Sequence, residues 1–276
     1  MSSPVAVPTV PATHVVRVPV TTVWADPESP RAVDAPAVAP EPDNVGWLAA
    51  LDANAAHDES GDGRLGLHGR VETQLLAGEP VVVTQTHHGE ATGSWSHVVA
   101  PWQRSPKDER GYPGWVPTAH LTPAPHVSPL DNPTPVLGGT PTASASPSVS
   151  ASGDAVHPAV AEARRHIGLP YLWSGISPLG FDCSGLVLHT WRRMGVVVAR
   201  DAYAQADFAS PVDIASVRPG DLYFFARPGR RIHHVGIVVR PGRMVHASET
   251  GGVLVEEDLS ADRVATLVAA GRLPMP

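Results

Sequence analysis

The 276-residue chain has one cysteine, Cys183, so it can form neither an internal disulfide nor a four-thiolate metal site. Lys107 is the only lysine among 20 basic residues, and no run of Lys or Arg occurs. With a formal net charge of −7, nothing in the chain attracts a phosphate backbone, and nucleic acid is not an expected partner. No stretch approaches the roughly 18 apolar residues of a membrane-spanning helix. The opening "MSSPVAVPTVPATHVV" lacks a basic segment followed by an apolar run. The expectation is therefore a cytoplasmic protein, or a secreted one if translation starts upstream. A monomer is expected.

What is abundant is proline, with 30 residues, and glycine, with 25, too many for one compact helical domain. They point to turns, β-structure and a linker. The length suits about two domains. Residues 1–13 read as disordered, 14–25 as a strand or strand pair, and 26–44 as loop. "NVGWLAALDANA" (44–55) reads as a short helix with Trp47, Leu48 and Leu51 on one side. From about residue 70 to 121, short apolar runs separated by Gly turns suggest a small β-barrel. Residues 122–153 hold seven prolines, one acid and no base, the composition of a linker.

A different rhythm follows over 154–276. Residues 155–168 are helical, with Val160, Ala163 and Ile167 on one face and Gly168 as the stop. "CSGLVLHTWRRMG" (183–195) is a second helix, with Cys183, Leu186, Val187, Trp191 and Met194 on one face. "DLYFFA" (221–226), "HHVGIVVR" (233–240), "RMVHASE" (243–249) and "GVLVEE" (252–257) read as strands joined by tight turns. Helices first and an antiparallel meander after them make this domain α+β.

Cys183 would begin its helix, where free backbone N–H groups and the positive end of the dipole favour a thiolate and can hold an oxyanion. A lone cysteine more often packs as a small apolar side chain, so the case for chemistry depends on partners. There are 14 histidines to supply them. His234 and His246 fall on adjacent strands joined by a tight turn, which can set them on one face. A base on one strand and its orienter on the next is what a Cys–His–X triad requires. A metal site built on these two histidines lacks a third ligand at suitable spacing.

Taken together, "GLPYLWSG", "FDCSGLVLHTWRRMG", "ARDAYAQ", "VRPGDLYFFA", "HHVGIVVR" and "MVHAS" resemble the NlpC-type bacterial cell-wall cysteine peptidases, a papain-like family. The resemblance implies Cys183 as nucleophile, His234 as general base and His246 as the residue orienting the imidazole. It implies Tyr171 beside the thiol, Asp182 and Ser184 along the substrate groove, and no cofactor. Two positions depart from the family pattern: Ser174 stands where glycine is usual, and Ala199 precedes the pair Arg200–Asp201. "ETQLLAGEPVVV" and "WSHVVAPWQRSPKDERGYPGWVPTAHL" resemble the bacterial SH3 domains that precede the peptidase in one subgroup. That subgroup cleaves γ-D-glutamyl bonds to a diamino acid in wall peptides with a free N-terminal L-alanine. The resemblance implies that Glu72 pairs with the substrate ammonium and Tyr112 closes over the alanine. A second SH3 unit, frequent in the family, is reduced or absent. The partners implied are peptidoglycan-derived peptides. Two rivals are an amidase or acyltransferase with the same triad, and a wall-binding protein with an inactive peptidase domain.

Overall fold

The computed structural model describes residues 12–54, 61–89, 93–124 and 156–275. Its first half is a seven-stranded antiparallel sheet of order β3-β2-β6-β5-β4-β1-β7. The strands are β1 (His14–Val16), β2 (Val20–Trp24), β3 (Val71–Leu76), β4 (Pro80–Gly89), β5 (Gly93–Ala100), β6 (Tyr112–Pro117) and β7 (Leu121–Pro123). One face buries Val16, Val23, Leu75, Val81, Val98 and Val116. The β-branched alternation of these strands matches a half-buried pleated surface.

The segment expected as loop contains a short helix, α1 (Ala35–Val38), and α2 (Asn44–Ala53) follows it. Trp47, Leu48 and Leu51 of α2 pack with Trp24, Leu67, Val71 and Trp95. Buried Asp34 turns the chain into α1: its carboxylate takes Trp47 Nε1 at 2.8 Å and Arg31 Nε at 2.8 Å. The expected disordered start lies outside the described residues up to residue 11. The expected linker begins later than 122, because β7 runs to Pro123 and pairs with β1; from 125 to 153 it lies outside the described residues.

The second half opens with α3 (Pro158–Arg164), the hairpin β8 (Ile176–Ser177) and β9 (Gly180–Phe181), α4 (Cys183–Arg193) and α5 (Ala202–Phe208). The α3 helix stops before Ile167, which is 45% exposed in the turn leading to Gly168 (φ +91°) rather than on the packed face. A six-stranded antiparallel sheet follows, of order β10-β15-β11-β12-β13-β14. It comprises β10 (Ser210–Val212), β11 (Leu222–Phe225), β12 (His234–Arg240), β13 (Arg243–Ser248) and β14 (Val253–Asp258). After α6 (Ala261–Thr266), β15 (Leu267–Arg272) crosses back to pair with β11. The expected meander is β11 to β14. Its Ala- and Gly-containing extension β15 carries little strand propensity and is held by its neighbours.

Trp191, Leu186 and Val187 of α4 pack on Val235, Ile237 and Val245 of the sheet. That burial locks the start of α4 against β12. The two halves are joined by buried polar contacts. Gln74 Oε1 accepts from Ile176 N and Ser177 Oγ, both at 3.2 Å. Glu79 pairs with Arg192, both almost fully buried. Arg200 Nε donates to Thr73 Oγ1 at 2.8 Å.

Candidate active site

Cys183 is the first residue of α4, and Asp182 is its N-cap, accepting from Gly185 N at 2.6 Å. Capping satisfies an amide that the helix itself cannot. Arg200 clamps the cap bidentately, Nη2 to Asp182 Oδ2 at 2.7 Å and Nη1 to Oδ1 at 3.1 Å, and Nη1 also reaches Ser184 Oγ at 3.0 Å. Asp182 and Ser184, expected along a groove, are buried at 7% and 5% exposure, as is Cys183 at 7%, and their hydrogen bonds hold the helix start in place.

The sulfur lies against the start of β12. Cys183 Sγ is 3.9 Å from the carbonyl oxygen of His233, and the amide of Val235 donates to it. The sulfur is therefore flanked by the main chain on either side of His234. Burial pushes the thiol up to about 12, with the Asp182 carboxylate adding; the amides of Val235 and Ser184 and the Arg200 guanidinium oppose this. Burial also holds His234 well below the ordinary histidine value, helped by the neighbouring charges of His246 and Arg263. The resting pair is a neutral thiol and a neutral imidazole.

His234 Nε2 and His246 Nδ1 are 2.9 Å apart, with the rings edge-on at 86°. The two histidines expected on one face of adjacent strands do meet. On its far side His246 Nε2 lies 3.0 Å from Glu257 Oε1 on β14, a contact the sequence reading does not anticipate. The nitrogens run in a row rather than converging on a point, so they do not form a metal cage. Another group, Glu162, His166 and His189, brings possible ligand atoms within 4.8 Å of one another. Its carboxylate already faces Arg165 at 3.4 Å and Arg193 at 3.7 Å.

Tyr171 is half-buried against the core that includes Cys183. Burial, then Cys183 and Asp182, raise its pKa, so it is a hydrogen-bond donor at neutral pH. Ser174, the departure from glycine, has φ +62°, in the left-handed region that glycine occupies most easily. Its hydroxyl donates to the Val71 carbonyl at 3.0 Å, a compensation glycine cannot make. Ala199 is buried, and its carbonyl accepts from Gln205 Nε2 at 2.8 Å.

A second polar cluster spans the two halves. The Tyr112 hydroxyl lies 3.1 Å from Glu72 Oε2 and 3.2 Å from Asp201 Oδ1. Lys107 Nζ pairs with Glu72, donates to the Tyr112 hydroxyl at 3.1 Å and sits 4.8 Å from the ring centre. Glu72 and Tyr112, expected together, are together. Lys107 and Asp201 are additions, and the signal for Asp201 was its place beside Arg200 in the quoted motif. Through Arg200 and Asp182 this cluster connects to the start of α4.

Comparison with known proteins places the chain in a family. A model of the NlpC/P60 family matches residues 168–268. The chain is 31% identical over 281 residues to a gamma-D-glutamyl-L-lysine dipeptidyl-peptidase of Bacillus subtilis (strain 168), covering 86% of this chain and 90% of that protein. It is 26% identical to a protein of the same name from Bacillus cereus (strain ATCC 10987 / NRS 248), covering 82% and 80%. The crystal structure of an NlpC/P60 family protein from Bacillus cereus ATCC 10987 shares the fold, with TM-score 0.75 at 22% identity over 96% of this chain and 100% of that one. The chain belongs to the NlpC/P60 family and is a cysteine-type peptidase.

Proposed function

We propose that this protein hydrolyses the γ-D-glutamyl–L-diamino acid bond of peptidoglycan-derived peptides that carry a free N-terminal L-alanine. The observation that carries the reading is the Glu72–Tyr112–Asp201 cluster, two carboxylates and a phenol contributed by both halves and linked to the helix that bears the thiol. The Bacillus subtilis relative named for γ-D-glutamyl-L-lysine peptides supports the same substrate class. In this reading the first half is an SH3-like wall of the site. Its carboxylates receive the alanine ammonium, because a buried charge left unpaired is costly. Lys107 leaves its partners when that ammonium arrives.

Cys183 attacks the γ-carbonyl as its proton passes to His234. The Cys183–S bond to carbon forms while the carbonyl oxygen becomes an oxyanion, held by amides at the start of α4 and by the Tyr171 hydroxyl. The imidazolium returns the proton to the departing amine as the amide C–N bond breaks. Water, deprotonated by His234, then releases the acyl group. Asp182 and Ser184 act through α4, holding its first turn still. No described helix is long and apolar enough to cross a membrane.

Mass spectrometry of L-Ala-γ-D-Glu peptides ending in lysine or meso-diaminopimelate, each with a free or acetylated N-terminus, tests this reading. Cleavage at the γ-glutamyl bond of the free peptides alone is the expected result. Equal cleavage of acetylated peptides refutes the amine cradle, and binding without any product refutes the peptidase assignment for this substrate.

A further inference from the structure

Three successive acids close β14, and they have different partners. Glu256 pairs with Arg164 and Arg243, and Asp258 with Arg240 and Arg243. Glu257 lies between them in sequence and points to the other face, as strand alternation requires. There its carboxylate meets an imidazole, His246 Nε2, at 3.0 Å. Register explains the encounter: His246 stands opposite Val255, and Glu257 is the next residue along on that face.

A carboxylate only accepts, so the His246 nitrogen facing it carries the proton. Neutral His246 then has its lone pair on Nδ1, which lies 2.9 Å from His234 Nε2 and must accept from it. Neutral His234 is left with its lone pair on Nδ1. That is the ring nitrogen nearer the main chain, and the sulfur rests against the main chain of residues 233 and 235. One carboxylate thus orders both rings and leaves the free lone pair of His234 on Nδ1, the nitrogen on the main-chain side where the sulfur rests.

We propose that Glu257 is a positioning residue that sets the tautomers of both His246 and His234, extending the catalytic row to Cys183–His234–His246–Glu257. When the S–H bond breaks and Nδ1 of His234 gains the proton, the new positive charge is shared along a row that ends on an anion. Arg263, which bears on both rings from α6, and His233, beside His234, oppose that charge. The inference rests on Cys183 and His234 carrying the chemistry, but not on the identity of the peptide.

Two substitutions separate charge from packing. Glu257→Ala removes the acceptor and should lower kcat about tenfold with KM unchanged, since Glu257 is 46% exposed and water can partly replace it. Glu257→Gln keeps the shape but loses the charge and can donate an amide N–H as readily as it accepts, so Nε2 is no longer held protonated in every molecule; its kcat should also fall. The acid limb of kcat should move to lower pH in both variants, with the thermal midpoint nearly unchanged. Two readouts need no substrate. In ¹⁵N NMR, the His246 Nε2 signal should change from protonated to a mixture of protonated and unprotonated forms in Glu257→Gln. Alkylation of Cys183 by iodoacetamide should slow in parallel. A kcat within twofold of the parent and an unmoved acid limb in both variants, or an unchanged His246 tautomer in Glu257→Gln, overturns the proposal.

Discussion

The two polar clusters of this protein are built on opposite principles. Cys183, His234 and His246 are buried and held towards their neutral forms, with Glu257 at the exposed end of the row: burial raises the thiol and lowers both imidazoles. The cluster at Glu72 is ionic, with Lys107 at 40% side-chain exposure beside a carboxylate at 26%. The first must create charge only when a carbonyl is attacked, so neutral groups packed away from water suit it. In the proposed reading the second exchanges one ammonium for another, so it needs charge already present and a partner that leaves cheaply. Between them Arg200 and Asp182 form a buried, fixed ion pair that does neither, and holds the geometry of both.

The sharpest way to break the first row is Cys183→Ala, which should abolish turnover while leaving the thermal midpoint within a few degrees. Retained activity would remove the sulfur from the mechanism. The fixed link between the clusters comes next. Asp182→Asn keeps the helix cap but leaves the Arg200 guanidinium, 1% exposed, without its anion. Breaking such a pair costs about 3–5 kcal/mol, to be read from the urea midpoint. A loss below about 1 kcal/mol would mean that Thr73 and Ser184 suffice as partners.

The ionic cluster should respond in KM rather than kcat. Glu72→Gln should raise KM for the free-amine peptide about 10- to 100-fold, as a charged hydrogen bond is worth about 1.5–3 kcal/mol. Lys107→Met should act in the opposite direction and lower KM by about two- to fivefold, because an exposed pair holds at most about 1 kcal/mol. A Lys107→Met variant with raised KM would make that lysine part of the binding wall.

The burial of imidazoles in the row and elsewhere also has a pH signature. His120, His189, His234 and His246 are all held below the ordinary value of 6.5, in each case chiefly by burial, and His189 falls to about 3. A group depressed in the folded state binds more protons when unfolded, so stability is full above about 6.5 and is lost as pH falls towards each folded value. Urea midpoints should fall steadily from pH 7 to pH 4. The smallest effect expected is at Ser174. Ser174→Ala retains the left-handed backbone and loses the bond to Val71, costing about 1 kcal/mol; Ser174→Gly, which trades the bond for freedom, should cost less.

Much of the catalytic half is legible in the chain because its signals are local. The face of α4, its stop at Gly195 (φ +80°) and the alternation of β11 to β14 are patterns within a few residues of each other. The pairing of His234 with His246 follows from a tight turn between two strands. Glu257 was missed because charge runs at strand ends usually face solvent, and only the register of β13 on β14 sets one of three acids against His246. The ion pair of Asp182 with Arg200 was not legible, because nothing near Asp182 announces a partner 18 positions on. The second strand pairing of β11, with β15, had no local signal at all.

By itself the sequence determined that one thiol starts a helix and that two imidazoles share a face, because helical and strand periodicities act over short stretches of chain. Tertiary structure alone decided the burial that shifts the thiol and the imidazoles, and the completion of the second cluster. Desolvation depends on everything packed around a group. Residues 72, 107 and 112 meet through the folding of the first half, and 201 joins them only when the second half closes on it.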